Sequence, residues 1–177
     1  STLAVGACAE GPCEVLNGSG AAGAVYVFTR AGTTWIQEAY LMASSPGSED
    51  AFGNWLALSA DGSTLAVGAS EEDSAATGID GDQLDNTAMN AGALYVFTRI
   101  GTVWTQQAYI KASNTGTEDR FGAALALGTS RLLVGAFSEQ SGNGNPSDGV
   151  KGCHSASQFP RGAFHFERVD LDLDWKL

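Results

Sequence analysis

Along residues 92–112 the apolar positions recur with a period of two, the spacing of a strand. In the run Gly92 to Arg99, Tyr95 and Phe97 fall on one side while Leu94 and Val96 fall on the other. Both sides are apolar, so this strand is expected to be covered on both faces. The next run, Val103 to Ala112, mixes Trp104, Tyr109 and Ile110 with Gln, Thr and Lys, as a partly exposed outer strand would. The turn Ile100-Gly101-Thr102 joins the two as a hairpin. Upstream, Phe52 to Leu58 and Thr64 to Ala69 read as two more strands joined by Ala60-Asp61-Gly62. The second of these, Leu-Ala-Val-Gly-Ala, is made of small residues where backbones must approach closely. No stretch keeps a helical period, so the class is all-β, in units of four antiparallel strands.

The unit repeats. Gly23-Ala-Val-Tyr-Val-Phe-Thr-Arg30 recurs as Gly92-Ala-Leu-Tyr-Val-Phe-Thr-Arg99, and at that offset of 69 there are 23 identities in the 36 positions from Gly23 to Leu58. A degraded copy opens at Gly162. Phe52-Gly53 returns as Phe121-Gly122, and Thr64 to Ala69 has counterparts at Thr2 to Ala7 and Arg131 to Ala136. A period this long means a solenoid, a propeller or an array. Four-stranded sheets buried on both faces and crowded at one edge stack around an axis, which is a β-propeller. A β-sandwich does not explain the period.

These motifs resemble the bacterial FG-GAP repeat proteins, relatives of the integrin α-chain propeller. The resemblance rests on Phe52-Gly53 and Phe121-Gly122, the Val-Gly-Ala strand ends, the Gly-Ala-Val-Tyr-Val-Phe-Thr-Arg run, and Trp104 to Gln107. It covers nearly all of the chain and weakens after about Phe137. It implies a secreted or cell-surface propeller, usually of about seven blades, that binds other molecules. The chain divides into a partial blade at 1–43, a full blade at 52–112 and a degenerate blade at 121–177. That is about two and a half to three blades, so further blades are expected from a longer chain or from homo-oligomerisation. The calcium loop that integrin-type blades often carry between first and second strands is not carried over. Ser59 to Gly62 and Leu127 to Ser130 are plain turns with too few oxygen ligands.

Composition narrows the function. Of 177 residues, 44% are hydrophobic and 23 are Gly, which suits a buried core reached through many tight turns. The net charge of −11, with nine Lys and Arg, excludes nucleic acid and disfavours anionic membrane surfaces. No apolar run reaches the roughly 20 residues of a membrane span. Cys8 and Cys13 could pair in an oxidising compartment, leaving Cys153 over.

A catalytic centre occurs once, so a residue present in every blade reads as structural. Glu49-Asp50 and Glu118-Asp119 precede Phe-Gly in both copies, and turn capping explains them better than acid–base chemistry. Cys153, His154 and His165 do not make a zinc set, and no nucleophile motif is present. No catalytic residue is assigned.

The loops between second and third strands differ from one another and share a rim with the fourth-to-first connections, so binding is expected there. The middle one, residues 70–91, carries Glu71, Glu72, Asp73, Asp80, Asp82 and Asp85 and no basic residue. Asp73, Asp80, Asp82, Asp85 and Asn86 could supply calcium with oxygens, or be a solvated loop held by Asx turns. Glu71, Glu72, Asn90, Asp50 and Glu118 would line the ligand-binding face. The expected function is a non-catalytic extracellular binding or adhesion module for a protein or glycan. A self-assembling layer and an accessory propeller of a secreted enzyme are the alternatives.

Overall fold

In a computed structural model, residues 1–9, 21–128 and 131–139 are described in full and residues 165–170 as backbone. The described residues contain ten strands and no helix, hence none long and apolar enough to cross a membrane.

The strands form three antiparallel sheets with β-propeller blade topology. The first joins β1 (Thr2–Ala7), β2 (Ala24–Ala31) and β3 (Thr34–Leu41) in that order. The second joins β4 (Phe52–Leu58), β5 (Thr64–Ala69), β6 (Ala93–Ile100) and β7 (Val103–Ile110). The third joins β8 (Phe121–Leu127), β9 (Arg131–Ala136) and β10 (His165–Asp170). The expected fourth strand stops at Ile110, two residues short of Ala112. Lys111, expected to face solvent, is buried at 2% exposure.

Two apolar layers hold the sheets face to face. One contains Val25, Val27, Leu41 and Ala43 of the first sheet against Leu65, Val67, Tyr95, Phe97 and Tyr109 of the second. The other sets Ala66, Leu94, Val96 and Ile110 against Phe121, Leu132, Val134 and Ala136 of the third. The alternation in β6 thus feeds both layers, as the two-faced pattern requires. Each large side chain so buried contributes roughly 1.5–3 kcal/mol.

The repeated Phe-Gly is the joint between sheets. Phe52 and Phe121 form parallel bridges to Gly23 and Gly92, at the start of the preceding sheet's third blade strand. Their amides donate to Ala22 O and Ala91 O at 3.0 and 2.9 Å. The Phe52 ring then meets Tyr95 edge-on, centroids 5.4 Å apart. Just after each Phe the strand register shifts, and Gly53 and Gly122 take φ of 89° and 88°. That bulge pushes backbone toward the neighbouring sheet, a conformation open to glycine.

A polar clasp fastens the outer strands. Glu38 of β3 accepts from Arg99 Nη1 and Trp104 Nε1 of the second sheet, each at 3.0 Å. Burial opposes its charge, yet these partners hold its carboxyl below the ordinary value.

Candidate functional site

The loop of residues 70–91 leaves β5 and returns to β6 at the rim of the second sheet, and hydrogen bonds tie it down along both arms. Its outward arm pairs with the free edge of its own sheet. Ile79 bridges Ile110 in antiparallel fashion, with Asp80 N donating to Tyr109 O at 2.7 Å and Lys111 N to Gly78 O at 2.8 Å. An outer strand's exposed peptide groups are thereby covered at its end.

The return arm is tied by its own carboxylates. Asp73 accepts from the Asn90 amide at 2.7 Å, and its carbonyl from the Ala88 amide at 2.8 Å. Asp80 accepts from the Tyr109 amide at 3.0 Å. Asp82 accepts from Leu84 N at 2.9 Å, and Asp85 from Ala75 N at 3.0 Å and Thr87 N at 3.1 Å. A hydrogen bond from the Thr87 side chain, followed by the Ala75 amide, holds the Asp85 carboxyl below its usual value. Asp82 and Asp85 thus anchor Asx turns, while Asp73 and Asp80 accept from amides distant in the chain. Among the described residues no group of three or more His, Cys, Asp or Glu side chains is placed to hold one metal ion. Calcium wants about six to eight converging oxygens, and in this structure Asp73, Asp80, Asp82 and Asp85 each accept from backbone amides.

Two residues expected on the ligand-binding face are instead underneath it. Glu72 is 3% exposed and accepts from Lys111 Nζ at 2.6 Å and from Tyr109 Oη at 2.8 Å. Burial lowers the Lys111 ammonium and the Glu72 carboxylate counters it. Burial also pushes the Tyr95 and Tyr109 phenols up. Asp50 is 5% exposed and accepts from Gly47 N at 2.6 Å. Burial, with Glu72 and Asp73 nearby, raises its carboxyl to about 7 against the pull of the Gly47 amide. The rim residues do meet. Asn90 Nδ2 donates to Glu118 at 3.1 Å, and Arg120 reaches Glu118 at 3.7 Å and Glu71 at 3.9 Å.

The loop also exposes large apolar side chains to solvent. Leu84 is 80% exposed, Ile79 62% and Met89 57%, set among Asp80, Asp82 and Asn86. The carboxylates, which dominate the sequence, hid these three side chains from sequence reasoning. Cys8 is half-buried just after β1. Cys13, Cys153 and His154 lie outside the described residues, and of His165 only the backbone is described.

The FG-GAP repeat family model matches residues 35–97 and 104–150. Comparison with curated proteins gives no match.

Proposed function

We propose that this chain, which belongs to the FG-GAP repeat family, is a non-catalytic binding module of an extracellular or cell-surface protein. Its recognition surface is the loop of residues 70–91. The carrying observation is that a loop anchored by hydrogen bonds along its whole length presents Leu84, Ile79 and Met89 to solvent. Exposed aliphatic groups on a hydrogen-bonded backbone bind at a lower ordering cost, since the loop's backbone entropy is already spent in folding. Their carboxylate rim suits a partner whose apolar contact patch is bordered by Lys or Arg. That chemistry favours a protein surface over a neutral glycan.

The test is an array of immobilised peptides combining basic and aliphatic residues, beside neutral glycans, probed with the whole chain. Binding to the peptides, weakened by salt and lost in the triple variant Ile79→Asp, Leu84→Asp, Met89→Asp, is the expected outcome. Equal binding by that variant, or signal on glycans alone, contradicts the assignment.

A further inference from the structure

Beneath the loop of residues 70–91 one ammonium faces three carboxylates. Lys111, the residue after β7, is buried and donates to Glu72 at 2.6 Å. It stands within electrostatic reach of Asp73 and Asp50 as well. Asp50 belongs to the connection between β3 and β4, is itself buried, and accepts from Gly47 N at 2.6 Å. The connection is tightly wound there. Glu49 and Ala51 take φ of 69° and 58°, and a Cβ on Gly47 would meet the Asp50 carboxyl. Facing Asp50 are Glu72 and Asp73 of the loop, Lys111, and the Tyr95 and Tyr109 phenols of β6 and β7, which burial keeps neutral. With Lys111 committed to Glu72, a charge on Asp50 lies buried beside two others of its own sign.

Lys111 and Tyr109 also hold the loop. Asp80 N donates to Tyr109 O and Lys111 N to Gly78 O, at 2.7 and 2.8 Å, while Tyr109 N donates back to the Asp80 carboxyl at 3.0 Å. The Tyr109 hydroxyl and the Lys111 ammonium both end on Glu72. Loop arm, end of β7 and buried carboxylate are therefore one hydrogen-bonded unit. The Asp50 carbonyl touches its base by accepting from Glu71 N at 3.3 Å. An anionic Asp50 competes with Glu72 for the one ammonium, and the two carboxylates repel. The part that yields first is the one with solvent on its outer side, around the exposed Ile79 and Asp80.

We propose that Asp50 and Lys111 form a proton-controlled latch on this loop. With Asp50 protonated, residues 78–80 stay paired to the end of β7, and ionisation of Asp50 loosens that pairing. Freed of the loop arm, Asp50 meets water and regains its ordinary acidity, so the closed arm holds the proton more tightly than the open one. Burial, with Glu72 and Asp73 nearby, puts the closed value at about 7 against an ordinary 3.8. The stabilisation of the closed arm is thus complete below 3.8 and is lost as pH rises to about 7. Because Ile79 lies on that arm, a partner bound there is held more tightly in acid. That last consequence rests on the recognition role proposed above, whereas the latch does not.

The test needs no partner. It is native-state hydrogen–deuterium exchange of the whole chain, with the Asp80 and Lys111 amides corrected for their intrinsic rates. Their protection should fall about tenfold between pH 6 and pH 8, and level off where the Asp50 carboxyl carbon titrates in the wild-type NMR spectrum. Urea well below the unfolding transition should leave these two amides unchanged while speeding those of β5, the mark of a local opening. Asp50→Asn should remove the pH dependence. Protection that does not change with pH overturns the proposal. So does a plateau that misses the Asp50 titration, a reading that needs only the wild type. Exchange of the arm that quickens with urea as steeply as that of β5 also overturns it, since the arm then parts only in global unfolding. A fall with pH that persists in Asp50→Asn assigns the proton to another group and overturns it too. Peptide binding is not read here, so failure of the recognition role and failure of the latch are told apart.

Discussion

Gly68 of β5 lies against the carbonyl of Gly122 in β8, so close that a Cβ on Gly68 would overlap the carbonyl oxygen. Gly6 stands in the same relation to Gly53 one sheet earlier. The two short motifs of each repeat, Phe-Gly and Val-Gly-Ala, are thus two sides of one contact between neighbouring sheets. Gly68 is held in antiparallel ladders on both sides, and Gly122 lies in a bulge between the paired Phe121 and Ala124.

Gly68→Ala should therefore destabilise by about 3 kcal/mol, at the upper end of what overpacking costs. Gly101 is the control. Its φ is 64°, but nothing lies within 4 Å of an added Cβ. Gly101→Ala should lose only about 1 kcal/mol, the left-handed backbone penalty. Urea melts of the two variants measure the difference, and equal losses would separate the glycine contact from sheet stacking.

Lys111→Met places in the second sheet the residue that Met42 supplies at the same position of the first. It strips Glu72 of its cation while leaving it buried, which should cost about 3 kcal/mol. Adding Glu72→Gln should restore much of that, because the unpaired charge goes too. A double variant as unstable as the single would mean that shape, not charge, governs the site.

Asp50 gives the fold a pH dependence. Its folded pKa of about 7 lies above the ordinary 3.8, so the folded state holds the proton more tightly than the unfolded one. The stability it contributes is complete below the ordinary value and is lost as pH rises toward 7. Asp50→Asn, which mimics the protonated acid and can still accept from Gly47, should change little at pH 4. At pH 8 it should raise stability by about 1–2 kcal/mol. Thermal melts at the two values check this, and a stabilisation equal at both would contradict the account.

The strands were legible in the sequence because period-two alternation and a 69-residue repeat specify them twice over. The Phe-Gly joint was legible only as a motif. Its function depends on Gly6 and Gly68, each more than 40 residues from its partner and reached through the stacking of sheets. Glu72 read as one more solvated acid, since Glu71 and Asp73 flank it. Tyr109 and Lys111, which close over it, come from the far side of the hairpin. The acidic loop was singled out by charge, and its carboxylates prove to be fasteners. Among the side chains the loop exposes are aliphatic ones between them, at no periodic spacing.

Because Asp73, Asp82 and Asp85 are spent on backbone amides, calcium at millimolar concentration, enough for weak extracellular sites, should leave the melting temperature unchanged. Differential scanning calorimetry with calcium and with chelator reads this. A rise of several degrees, the mark of binding to the folded state, would show that the carboxylates reorganise around an ion.

The most direct test of a preformed recognition surface is hydrogen–deuterium exchange of the loop amides. Asp80, Ala88 and Asn90 donate to Tyr109 O, Asp73 O and Asp73 Oδ1 at 2.7, 2.8 and 2.7 Å. They should exchange slowly, with protection near that of β6 and β7. Loop amides that exchange as fast as an unstructured chain would mean that Ile79, Leu84 and Met89 are not held in place, and would contradict the account.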